Sequence, residues 1–172
     1  SVTDTIKDEK LVAGLVDAIE FTVGATGENI ALKAFGINIA ASGATVSNPV
    51  TSGNVKLYDI TGGGSTEITI GSVSGAVITG GSNGDIFIVL TDAQTITAGE
   101  PKTFRAKVTA ADVSATEDAG VLNVTFDRNE TSQPVMRATN HADLLSANGA
   151  YGAQTGGFKV WVWSDLSDDG AA

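Results

Sequence analysis

The sequence predicts an all-β fold in which two antiparallel sheets pack as a sandwich. Three observations carry this. Gly occupies 21 positions, Thr 20 and Ser 13, while charged residues make up only 17% of the chain; such a composition favours strands and turns over helices. Most apolar segments alternate with period two and are bounded by Gly, Asn, Asp or Pro. The segments recur at spacings of roughly 10–15 residues with turn signals between them, the pattern of a sandwich rather than of alternating strands and helices. A chain of 172 residues suits one domain with a two-layer core, and no linker, composition break or internal repeat divides it.

Taken in order, residues 11–19 come first. Leu11, Val12, Leu15, Val16 and Ile19 recur at helical spacing behind Asp8 and Glu9, but Gly14 and the β-branched content favour a strand. Residues 18–23 place Ile19, Phe21 and Val23 on one face. Residues 30–39 begin with Ile30 and Leu32 in phase and then slip so that Phe35, Ile37 and Ile39 share a face. A slip inside one run predicts a bulge at Lys33–Ala34. Shorter strands are expected at 55–60, 67–70 and 76–79, and another at 85–90 behind a hairpin turn at Ser82-Asn83-Gly84. Residues 103–109 should face Phe104, Ala106 and Val108 inward, and 121–126 should bury Leu122, Val124 and Phe126. Residues 158–163 are apolar on both faces apart from Lys159, so that strand is central or covered by a partner. Residues 140–148 read as a short helix or turn capped by Asn140.

Charge and composition exclude several functions. The net charge is −10 and the basic residues never cluster, so the chain lacks the positive footprint that holds phosphates, and no nucleic-acid partner is expected. The absence of Cys removes disulfides, thiolate metal sites and a Cys nucleophile. The longest apolar run, 86–90, is too short to span a bilayer.

A resemblance emerges from the ordered motifs. Phe21-Thr22-Val23, Ile30, Leu32-Lys33, Phe35 and Val46-Ser47-Asn48 are followed by Val55-Lys56-Leu57-Tyr58. After these come Gln94 to Phe104, read as a hairpin around Ala98-Gly99, and finally Val162-Trp163-Ser164-Asp165. The set resembles the immunoglobulin-like β-sandwich repeat modules of large bacterial surface and S-layer-type proteins. More loosely, it is similar to fibre-forming β-sandwich subunits of biofilm matrices and archaeal surface filaments. The resemblance implies an extracellular, non-catalytic building block, with Ser1 following a processing site. Those modules continue past the Trp-Ser-Asp motif into a further strand, whereas here only 166–172 follow; a final strand is expected to come from a neighbouring subunit.

Candidate sites are few. His141, the single His, has no nucleophile motif to serve and is expected to be a loop residue. Gly62-Gly63-Gly64 lacks the Lys-Ser/Thr and helix of a phosphate loop and reads as a turn. Asp165, Asp168 and Asp169, with Asp127 or Glu130, are hard oxygen donors that could take Ca²⁺; no other cofactor is expected. Asn123 and Asn129 head N-x-S/T sequons, so glycans are a candidate modification. Trp161 and Trp163 share a strand face and suit burial or a subunit contact more than a sugar platform.

Residues 1–16 read as an extension to the 17–172 sandwich and as a donor strand. Val2, Asp4 and Ile6 share one face, while Leu11 and Leu15 add a stronger apolar stretch. The expected function is thus a secreted structural subunit that self-assembles head-to-tail by β-strand addition, its partner being itself. The alternative is a surface adhesin or carbohydrate-binding module.

Overall fold

The computed structural model describes residues 2–5, 11–114, 120–126, 136–137 and 161–164. They form a two-sheet β-sandwich of strands β1 (Val2–Thr5), β2 (Gly14–Val23), β3 (Ile30–Ser42), β4 (Thr45–Val46), β5 (Val55–Asp59), β6 (Thr66–Ile68), β7 (Ile70–Gly75), β8 (Ser82–Ile96), β9 (Lys102–Ala111), β10 (Val121–Phe126), β11 (Met136–Arg137) and β12 (Trp161–Ser164). The first sheet runs β1-β2-β9-β5-β6, with β4 also on β9; the second runs β11-β12-β3-β8-β7, with β10 also on β3. Every strand pairing is antiparallel except the two-residue β11–β12 pair.

Alternation sets the core. Ile19, Phe21 and Val23 of β2 and Phe104, Ala106 and Val108 of β9 point inward from the first sheet; Phe35, Ile37 and Ile39 of β3, Ile86, Ile88 and Leu90 of β8, and Val124 and Phe126 of β10 meet them from the second. Leu122 packs on this cluster while partly exposed. Phe21 lies at its centre. Its ring touches Phe35 at 5.0 Å, Phe126 at 5.1 Å, Phe104 at 5.4 Å and Trp161 at 5.7 Å, so one side chain joins both sheets through edge-to-face and tilted aromatic pairs.

Two bulges explain spacings that look irregular in the sequence. In β3 the register slips between Leu32 and Ala34, the bulge expected at Lys33, so Leu32 and Phe35 both face the core three residues apart. In β2 the register slips between Asp17 and Ile19. The extra residue, Ala18, brings Val16 and Ile19 onto the same side, and the helical spacing of 11–19 is a bulged strand that starts at Gly14.

Four expectations are corrected. Ser82-Asn83-Gly84 is not a hairpin turn but the start of β8, paired with Ala41, Ala40 and Ile39. The turn lies just before it, where Ser82 N donates to Thr79 O at 3.0 Å and Gly81 has φ +84°. Gly84 is needed for close packing instead, because a Cβ there would stand 2.9 Å from Cγ1 of buried Ile78. Residues 76–79 form no strand; Val46 and Ile78 exchange two backbone hydrogen bonds, 2.8 and 3.2 Å, in an isolated bridge that ties β4 to the β7–β8 connection. Residues 67–70 are not one strand, since Thr69 alone carries the chain from β6 in the first sheet to β7 in the second. The segment from Gln94 to Phe104 is not a hairpin, because β8 and β9 belong to opposite sheets. It is an arch, tied to the β2–β3 connection by Gly99 N donating to Ala25 O at 3.1 Å and Ala98 N to Asn29 Oδ1 at 2.9 Å. Turn chemistry marks a reversal but does not say whether the flanking strands pair or diverge.

The boundary expected after residue 16 also differs from the observed strand. Gly14, Leu15 and Val16 already pair with Ala110, Thr109 and Val108 of β9, and Val2–Thr5 pairs with β2 of the same chain. The expected helix or turn at 140–148 lies outside the described residues.

Candidate functional site

Among the described residues, the outer face of the first sheet carries a row of paired charges. The β2 bulge turns Asp17 and Glu20 outward together, opposite Arg105 and Lys107 of β9. Arg105 Nε donates to Glu20 Oε1 at 2.6 Å, and Lys107 Nζ lies 2.6 Å from Asp17 Oδ1. Further along, Lys56 Nζ meets Glu67 Oε2 at 3.1 Å, and Tyr58 Oη donates to the same oxygen at 3.4 Å. Glu67 holds the Lys56 amine above its ordinary value by hydrogen bond and then by charge. Opposite charges across adjacent strands stabilise the sheet surface and leave the face internally compensated.

A shallow cleft of about 320 Å³ between Asp59, Glu67 and Asp92 is acidic. Asp59 is engaged by Lys102 at 3.7 Å and accepts from Thr61 N at 2.9 Å, and Glu67 by Lys56. Among the described residues no group of three or more metal-ligating side chains converges. Asp165, Asp168, Asp169, Asp127, Glu130, Asn129, His141 and Ile6 lie outside the described residues. Gly62 and Gly63 sit in a single 3-10 turn, Thr61–Gly63, with φ +67° and +83°. Asn123 is exposed on β10 opposite Ala40, on the face away from Val124 and Phe126.

The two tryptophans are not an exposed pair. Trp161 stacks on Phe35 at 5.8 Å and 26° and tilts against Phe126 at 4.7 Å, packed on the core. Trp163 is half-buried beside Leu32 of β3. A ring committed to aromatic neighbours cannot offer its face to a sugar.

What remains are strand edges. In the first sheet β1 pairs with Glu20–Val23 of β2, and among the described residues no strand lies beside the stretch that opens β2, Gly14–Val16, on that edge. Leu15 lies on this stretch at 38% exposure, and Leu11 just before it is half-buried. In the second sheet β7 is the last strand. Among the described residues all its pairing is to β8, and its other side borders an open cleft of about 410 Å³. No family model, curated protein or solved structure matches the chain.

The β7 edge is the feature that sequence reasoning missed. A signal for it exists: residues 68–84 contain no charged residue and no Pro, in a chain of net charge −10.

Proposed function

We propose that the chain is a non-catalytic, extracellular structural subunit that self-assembles into a filament or surface layer by passing β1 from each copy to the next. The observation that carries this reading is the pairing of β1. Among the described residues it is a four-residue edge strand held by β2 alone, with residues 6–13 between the two in the sequence. The same residues of a neighbouring copy can therefore occupy the position with the same backbone hydrogen bonds, so exchange loses no contact. Passed head-to-tail, such an exchange does not close and yields an open fibre. The low charge density, the Thr- and Gly-rich all-β composition and the resemblance to surface-protein modules support the same reading. The alternative, a carbohydrate-binding module, loses its best platform to the packing of Trp161.

Negative-stain microscopy of the purified full chain tests the proposal. Ordered fibres are expected, lost on deletion of residues 1–5 while the sandwich still melts cooperatively, and capped by a peptide spanning 1–7. Because residues 14–16 are built into β2, the deletion stops short of them. A monodisperse chain that forms no fibres, or fibres that persist without 1–5, would overturn it.

A further inference from the structure

We infer that the outer edge of β7 and the cleft beside it form a second interface, which joins two copies of this chain by antiparallel β7–β7 pairing across a two-fold axis. An edge strand offers a row of unpaired N–H and C=O groups, and natural sheets blunt such edges with charge, Pro, bulges or a covering element. Here a bulge between Ile70 and Ser72 interrupts the edge at one end and Pro49, 3.0 Å from where a Gly75 Cβ would stand, blocks it at the other, leaving Ser72–Ser74 in regular register with β8. No described strand covers the outer side. No Lys, Arg, Asp, Glu or Pro occurs in residues 68–84.

Two exposed valines flank the edge. Val50, at the rim of the cleft, is 55% exposed, and Val77, just beyond β7, is 49% exposed. Val55, Ile68, Ile70 and Val73 contribute to the wall behind them.

Charge selects the occupant. The cleft carries only Lys56 and Glu67, which neutralise each other at 3.1 Å. A strongly acidic or basic partner finds no counter-charge there. Two copies of a chain with net charge −10 repel each other, and a face whose two charges cancel is where they approach at least electrostatic cost. The partner that matches a neutral, β-prone strand edge flanked by Val is the same edge. Antiparallel pairing of identical strands is self-complementary, so each copy presents the same patch and the contact closes on itself. It continues the second sheet across two molecules. It does not involve β1, and so stands apart from the strand exchange proposed above.

Sedimentation velocity and light scattering on the chain lacking residues 1–5, which removes head-to-tail exchange, test this directly. A monomer–dimer equilibrium is expected from micromolar to millimolar protein, tightening at least several-fold between low and moderate salt as the −10 charges are screened. Ser72→Lys and Ser74→Lys together place two like charges per strand on the shared edge and should abolish the dimer with the melting temperature held. Ser72→Thr, which keeps a neutral edge, should leave it intact. A chain that stays monomeric at millimolar concentration, or a dimer that survives the double Lys variant, would overturn the proposal. If the truncated chain itself unfolds, the same measurements on the full chain with excess 1–7 peptide give the same comparison.

Discussion

Lys33 Nζ donates a hydrogen bond to the carbonyl of Thr91 at 2.8 Å, from a side chain only 1% exposed. Thr91 N in turn donates to Thr69 O at 3.0 Å. The β3 bulge, the irregular stretch of β8 and the single-residue crossing between β6 and β7 are thus linked through one short chain of donors and acceptors. The long apolar stem of Lys33 fills the space beside the bulge while its amine binds the carbonyl that the irregularity frees.

That arrangement separates packing from charge. Lys33→Ala removes both and should cost about 2–4 kcal/mol, as large-to-small changes at buried positions do. Lys33→Met keeps most of the stem and should stay within about 1.5 kcal/mol of the parent. Urea midpoints of the two variants give the comparison, and equal losses would show that the hydrogen bond rather than the stem is what matters.

Phe21 joins the sheets through its aromatic neighbours. Truncation of Phe21 or Phe126 to Ala should each cost roughly 3–5 kcal/mol. Their rings meet edge-to-face at 5.1 Å and 89°, so a double-mutant cycle should return a coupling of about 0.5–1.5 kcal/mol beyond additivity. An additive pair would mean that the ring geometry contributes nothing past burial.

Gly84 and Ile78 occupy one space. Gly84→Ala puts a methyl within 2.9 Å of Ile78 Cγ1 and should destabilise by about 1–3 kcal/mol through overpacking. Ile78→Ala is costly in the parent but should cost clearly less in the Gly84→Ala background, where the new methyl refills the gap. Thermal melts of the four proteins read the sign of that coupling.

Lys56 supplies an alkaline signature. Its folded-state value is raised above the ordinary 10.5 by Glu67. A raised basic group contributes its stability below the unfolded value and loses it as pH climbs through the folded one. Melting temperature should therefore carry a shallow downward component above about pH 10.5, and Glu67→Gln should remove that component without changing the neutral-pH fold. The pair is exposed, so the effect is small.

Sequence reasoning reached the faces of strands better than their partners. The inward phase of Phe104, Ala106 and Val108 and of Val124 and Phe126 follows from alternation, which is local. The bulge at Lys33 was legible because a bulge shifts phase within a single run. The bulge at Ala18 looked helical because Val16 and Ile19 then fall three apart, a spacing that strand and helix share. Gly84 was misread because close packing on Ile78 and a turn both call for Gly. That Ile96 and Phe104 belong to opposite sheets, or that β7 ends its sheet, depends on pairing between distant segments, and no local pattern encodes it. The free β7 edge left only an indirect trace, the uncharged stretch 68–84.

Thr69 has a mechanical consequence. An extended chain spans at most about 3.3–3.6 Å per residue, whereas packed sheets lie about 10 Å apart. The step from Ile68 to Ile70 therefore acts as a leash with no slack at the mouth of the cleft. The two sheets cannot gape there elastically. Any rupture starting at this corner must first strip Ile68 from Leu57 or Ile70 from Leu90, so the sandwich resists tension at the cleft by unzipping one rung at a time.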